Sequence, residues 1–233
     1  MKNLVLVVDD EKGIRDGLKL QLESNGFEVA TARNGEEALK AYNDCRPDLI
    51  LLDVMMPKMD GFTVCRTIRK ADTVTPIVML TCKDSEIDQV KAFEFGAVDF
   101  IRKSDLNSSV MTEAVFVSVL DRHIKRVAEL AGDRSGAKVF AVGMAEVDTE
   151  ALAIKAPGLR ENLTATEADM LQILDRNRGK CTTYDEMVDR LRGDGYLMEA
   201  HALQVHMSRI KAKLGRSGDK IRNIRNRGYL LER

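Results

Sequence analysis

Five residues stand where short apolar runs end, and their types could do chemistry together: Asp9, Asp10, Asp53, Thr81 and Lys103. Asp9 and Asp10 follow Leu4-Val5-Leu6-Val7-Val8, and Asp53 closes Leu49-Ile50-Leu51-Leu52. Thr81 closes the run Pro76–Leu80, and Lys103 comes just after Ala97–Ile101. Carboxylate oxygens are hard ligands of the kind Mg²⁺ prefers. A lysine ammonium and a threonine hydroxyl supply a cation and a donor for phosphoryl oxygens. One carboxylate is then free to attack phosphorus as a nucleophile and form an acyl phosphate. Singly, each residue reads as a cap or half of an ion pair. Gathered at one edge, the set reads as a phosphoryl-transfer site.

To gather, the runs must be strands of one sheet. Unbroken apolar stretches suit strands buried on both faces. Helical patterns lie between them: Ile14, Leu18, Leu20 and Leu22 up to Asn25-Gly26, then Ala38, Leu39 and Tyr42 after Asn34-Gly35. A third starts near Phe62, a fourth covers 86–95 before Gly96, and Phe27–Ala32 is a weaker strand. This alternation predicts right-handed βαβ units and an α/β fold with a doubly wound, five-stranded parallel sheet. Residues just past the strands then share the carboxyl edge, where open α/β sheets bind ligands.

From Asp105 a helical pattern runs to about Ala131, with Val117, Leu120, Ile124 and Val127 at a and d spacing. That seam is expected to pair with its copy in a homodimer. Gly132–Gly136 reads as a linker. The chain thus divides into a first domain at 1–120, a helical extension and linker at 121–136, and a second domain at 137–233.

In the second domain, Lys138–Ile154 alternates loosely, as small antiparallel strands do. Thr164 stands three residues before Glu167, a capping-box signature ahead of Met170, Leu171, Ile173 and Leu174. Thr183–Leu191 predicts a second helix, Gly193-Asp194-Gly195 a turn, and Ala200–Leu214 a third helix. Leu203, Met207, Ile210 and Leu214 form its inner stripe, with His206, Arg209, Lys211 and Lys213 placed off it. Ile221–Leu231 reads as a hairpin with a basic tip.

The net charge of −1 conceals an asymmetry: residues 1–105 carry 15 basic and 19 acidic side chains, residues 200–233 carry 9 and 2. A basic third helix beside a basic hairpin suggests a helix-turn-helix on double-stranded DNA, its arginines reaching phosphates or a minor groove. The cysteines at 45, 65, 82 and 181 make no metal-ligand spacing and are expected as reduced core thiols of a cytosolic protein. No signal peptide and no apolar run of membrane-spanning length is evident, so a cytoplasmic protein without membrane contact is expected.

Over about residues 3–120 the motifs VVDDE, LLDVMMPKMDG, PIVMLT and GAVDFIRK make the chain similar to the receiver domain of bacterial two-component response regulators. The resemblance implies sheet order 2-1-3-4-5 and a phosphoryl group passed from a sensor histidine kinase to Asp53. It implies Mg²⁺ held mainly by Asp10, with Asp9, Asp53 and the Met55 carbonyl. Thr81 and Lys103 would bind the phosphoryl oxygens, and Phe100 matches the switch aromatic. Over about 138–233, LTATEADMLQIL, VHMSRIKAKLG and IRNIRNRGYLL resemble the α+β winged helix-turn-helix domain of the OmpR/PhoB class. His206, Ser208, Arg209 and Lys211 would face DNA and Arg225 would be the wing contact. Lys213, Arg222, Arg227 and Arg192 complete the basic set, and RNA polymerase is an expected partner.

The chain also departs from the pattern. Ser104 follows Lys103 where proline is usual, so a trans peptide is expected there. Residues 110–117 lack the basic side chains usual on the last receiver helix. Arg192 stands where Trp is common, and His201 where Arg is.

The expected function is a transcription regulator switched by Mg²⁺-dependent phosphorylation of Asp53. The alternative is a constitutively dimeric DNA-binding regulator whose receiver is a docking or structural module. A phosphatase of small substrates commonly needs a second acid two residues after the nucleophile. Met55 stands there, and no Walker-type loop exists for a nucleotide, so an enzyme is not expected.

Overall fold

A computed structural model describes residues 2–82, 91–106, 108–109, 111–132, 139–192 and 200–233, with all side chains except those of 126, 128–132, 192, 200 and 201. The chain forms two compact units, residues 1–127 and 128–233.

The first unit holds five strands: β1 (Leu4–Val8), β2 (Glu28–Ala32), β3 (Leu49–Asp53), β4 (Ile77–Thr81) and β5 (Asp99–Arg102). All pair in parallel, in the order β2-β1-β3-β4-β5. Val5–Val8, Leu49–Leu52 and Ile77–Leu80 are wholly buried. Helices cover both faces of such a sheet, so its central strands have no polar side and read as continuous apolar runs. Each buried Leu, Ile or Val contributes roughly 1.5–3 kcal/mol. Among the described residues the longer helices are α1 (Lys12–Ser24), α2 (Gly35–Cys45), α3 (Gly61–Arg69) and α4 (Glu113–Gly132). Asn34 caps α2 by accepting from the Glu37 N–H at 3.0 Å.

Several expectations need correction. In α1, Leu18 and Leu22 are buried but Leu20 is 72% exposed. The helix expected from Asp105 begins only at Glu113, after a turn at 103–105 and a bridge between Leu106 and Met111. In α4, Phe116, Val119, Leu120, His123 and Ile124 are buried within the chain. Leu120 and Ile124 therefore cannot form the expected seam with a second copy, and Val117 and Val127 are half-buried. An amphipathic helix lying on its own domain and a two-heptad coiled coil share the same apolar spacing, and here the chain itself covers the stripe. The cysteines are free, but only Cys65 is buried, and Cys82 is exposed.

In the second unit, β6 (Val139–Val142), β7 (Ala145–Asp148), β8 (Ala153–Ala156) and β9 (Leu159–Asn162) make an antiparallel meander. It runs past the Ile154 limit expected. Then come α5 (Ala165–Arg176), β10 (Cys181–Thr183), α6 (Tyr184–Arg192), α7 (Ala200–Leu214), a 3-10 turn (Gly215–Lys220), β11 (Ile221–Ile224) and β12 (Gly228–Leu231). β12 lies between β10 and β11 in a three-stranded sheet. Thr183, expected inside the second helix, belongs to β10, yet its hydroxyl accepts from the Glu186 N–H at 3.1 Å and caps α6. The core draws on Val147, Ile154, Leu171, Leu174, Met187 and Leu203, so meander and helices share one interior. Of the helix expected at 86–95, residues 91–94 are helical and 86–90 lie outside the described residues, as do the linker at 133–136 and the turn at 193–195. Among the described residues, no helix is long and apolar enough to cross a membrane.

The wing sheet rests on Gly228, which pairs with both Thr183 and Ile224. Its φ is +152°, and a β-carbon there would collide with the Thr182 carbonyl oxygen. Gly228→Ala is expected to destabilise the second unit by well over about 2 kcal/mol. Gly158→Ala, at φ +74° with no atom near the added carbon, should cost only about 1–2 kcal/mol. Urea denaturation of the two variants compares them, and equal losses would contradict the close approach.

Candidate functional site

Register brings the expected chemistry to one edge. Val8 is level with Leu52, Asp53 with Leu80, and Thr81 with Arg102. The Lys103 N–H donates to the Thr81 carbonyl at 2.7 Å, which fixes where the Lys103 side chain starts. Beyond β3 the chain folds back, and the Gly61 N–H donates to the Val54 carbonyl at 3.0 Å. A β-carbon on Gly61 would collide with the Asp53 carbonyl oxygen, which explains glycine in Asp60-Gly61. Asp60 caps α3 by accepting from the Thr63 N–H at 2.7 Å.

Asp9 and Asp53 are buried, and Asp10 is exposed. One carboxylate oxygen of each lies within 4.8 Å of the other two. The Lys103 ammonium sits 2.7 Å from Asp9 Oδ2, 3.0 Å from Asp53 Oδ2 and 3.3 Å from Glu11 Oε1. Burial pushes the Asp53 carboxyl up to about 6, against the pull of Lys103. Burial works to lower the Lys103 pKa, but hydrogen bonds to Asp9 and Asp53 prevail and raise it. The Met55 N–H donates to Asp53 Oδ1 at 3.1 Å. Thr81 and Phe100 are both buried. Three oxygen donors around an edge that already draws in one cation fit Mg²⁺, which favours carboxylates.

Three participants escaped the sequence reading. Glu11 reaches Lys103, and its only signal was a third acid after the pair. Arg15 Nη1 donates to the Asp9 carbonyl at 2.7 Å, one helical turn into α1. His123 Nε2 lies 3.0 Å from Asp99 Oδ2, a buried pair tying α4 to the strand that carries Phe100. A histidine 24 residues downstream gives no local sign of that contact.

In the second unit the expected DNA-facing set divides. His206 is fully buried, which corrects its placement off the inner stripe of α7. It lies three residues after Leu203 and four before Ile210, so helical geometry puts it on their side. Arg209 Nε is 3.4 Å from Glu167 Oε1, and Lys213 Nζ is 2.6 Å from Glu167 Oε2. Lys213 also donates to the Asn162 carbonyl at 2.7 Å. Both cations, expected as DNA contacts, thus pair with the buried Glu167 while staying partly exposed. Glu167 is itself half of the capping box on α5, accepting from the Thr164 N–H at 2.8 Å. Burial works against both charges of the Glu167–Lys213 pair. Arg209 and Lys213 nonetheless hold Glu167 below its ordinary value, while burial holds Lys213 below its own.

Ser208 is exposed and Lys211 half-exposed. Arg222, Arg225 and Arg227 are exposed around a tight turn whose Asn226 has φ +57°, a conformation asparagine tolerates. The Arg192 side chain lies outside those described.

Comparison with known proteins matches residues 5–115 to the response regulator receiver domain. Residues 158–231 match the C-terminal domain of transcriptional regulatory proteins. The chain is 37% identical, over all of its length and 96% of the relative's, to the probable transcriptional regulator ycf27 of Pyropia yezoensis. It is 32% identical, over all of its length and 98% of the relative's, to the alkaline phosphatase synthesis transcriptional regulatory protein PhoP of Bacillus subtilis. A solved structure of a RitR mutant shares the fold, with a TM-score of 0.73 at 20% identity over 98% of each chain. Similarity that runs from end to end places this chain in the OmpR/PhoB class of response regulators, as a regulator that binds DNA in dependence on phosphorylation.

Proposed function

We propose that Asp53 takes a phosphoryl group from the phosphohistidine of a sensor kinase, and that this event sets DNA binding by the winged-helix domain. The observation that carries the reading is the buried Lys103 ammonium held between Asp9 and Asp53. An Asp53 oxygen attacks phosphorus, the P–N bond breaks, and the departing imidazole takes up a proton from solvent. With its carboxyl at about 6, Asp53 is mostly ionised at neutral pH and able to attack. Lys103 follows the charge from the carboxylate to the phosphoryl oxygens. The Thr81 hydroxyl moves to donate to one of them, and Phe100 repacks behind it. Asp9, Asp10, Asp53 and the Met55 carbonyl would hold Mg²⁺, which offsets the charge of the transferring group.

Residues 1–120 form the receiver, 121–136 the connector and 137–233 the effector domain. The chemistry is confined to the chain's own phosphoryl group and does not make it an enzyme of external substrates. A regulator of this class acts in the cytoplasm, with RNA polymerase and a second copy of the chain as further partners.

The direct test treats the full-length protein with Mg²⁺ and acetyl phosphate. Wild type should gain the mass of one phosphoryl group and bind operator DNA more tightly, and Asp53→Ala should do neither. Phosphorylation of the Asp53→Ala protein would sink the assignment.

Burial raises the Asp53 pKa from 3.8 to about 6 on folding. The neutral form is therefore the favoured one, a contribution fully present below about pH 4 and lost as pH rises through 6. Asp53→Asn should then stabilise the receiver by about 1–3 kcal/mol at pH 7.5 in chelator, with the gain shrinking toward pH 4. Denaturation midpoints at the two pH values check the sign.

At the wing, removing Arg225 or Arg227 should weaken binding to all sequences and flatten the plot of log affinity against log salt by about 0.9. Lys213→Met should instead lower the melting temperature and leave that slope unchanged, as read by fluorescence anisotropy on labelled duplexes.

A further inference from the structure

We propose that Gln204 is a base-reading residue of the recognition helix and that it selects adenine in the major groove. The proposal rests on the reading of α7 as the helix that enters that groove, and it names what the helix recognises there.

The assignment follows from what the rest of α7 is occupied with. Ala202, Leu203, Val205, His206, Met207, Ile210 and Leu214 are buried. Arg209 and Lys213 are paired with the buried Glu167. Among the described side chains of α7, that leaves Gln204, Ser208 and Ala212 exposed, with Lys211 half-exposed beside them. Gln204, Ser208 and Ala212 lie four residues apart in turn and so share one face, and Lys211, three residues after Ser208, stands at its edge. The exposed positions of this face are thus neutral, with Lys211 half-exposed at its edge, although the helix as a whole is basic. A neutral face contributes little counter-ion release, and the exposed wing arginines carry that part of the affinity.

A neutral polar face is suited to reading bases. The side-chain amide of glutamine offers a donor and an acceptor together, which match N7 and the N6 amino group of adenine in a bidentate pair. Serine pairs with several bases, alanine makes apolar contact only, and lysine favours guanine or phosphate. Among the described residues of this face, only Gln204 carries the adenine pattern. It also stands in the first half of α7, the half that approaches base edges in helix-turn-helix proteins. Two elements fix its placement, because Glu167 on α5 holds α7 through Arg209 and Lys213.

The test selects bound sequences from a randomised duplex library. It uses the full-length protein with Mg²⁺ and beryllofluoride, as wild type, Gln204→Ala and Gln204→Arg. Gln204 is exposed, so both variants should melt with wild type. The wild-type motif should contain an adenine whose preference falls roughly 5- to 100-fold in Gln204→Ala. In Gln204→Arg the same position should turn to guanine, and the salt slope of Gln204→Ala should equal that of wild type. A motif unchanged in both variants overturns the inference while leaving the DNA-binding reading in place. A wild-type protein that binds every member of the library equally overturns both.

Discussion

One cation holds the receiver edge together. Asp9 and Asp53 are buried side by side, and like charges that close repel unless a counter-charge stands between them. Lys103 supplies it, placed by its backbone bond to Thr81 and reached by Glu11 from outside. In the strand order β1 and β3 are neighbours, so Asp9 and Asp53 beyond their ends lie close enough to share one ammonium. Burial leaves Asp53 poorly solvated and strongly paired at once. That combination favours a nucleophile whose charge is released to an incoming electrophile.

The receiver was legible because its physics is local. A parallel strand buried on both faces must be continuously apolar, and the polar residue that ends it must lie on the carboxyl edge. Asp9, Asp53, Thr81 and Lys103 could be placed from that rule before any contact was known. Ser104 in place of proline left the peptide after Lys103 trans, as the ordinary preference of the backbone requires.

What stayed illegible depended on which neighbour a side chain would find. The stripe through Leu120 and Ile124 has the same spacing whether a partner chain or the chain's own residues cover it. His206 was placed off the inner stripe and among the DNA-facing residues by resemblance, although its spacing from Leu203 and Ile210 put it inside. Arg209 and Lys213 looked like DNA contacts because basic side chains are usually solvated, and nothing near them in sequence announced a buried Glu167 more than 40 residues earlier. The three-residue strand β10 is too short to show any periodicity. In each case a long-range contact overrode a local expectation.

The division of labour within α7 has a consequence for how the helix can vary. The residues that anchor the helix, Glu167, Arg209 and Lys213, are different from those on its outer face, Gln204 and Ser208. A substitution outside leaves the anchor intact, so the outer face of the helix is free to vary without loosening its seat.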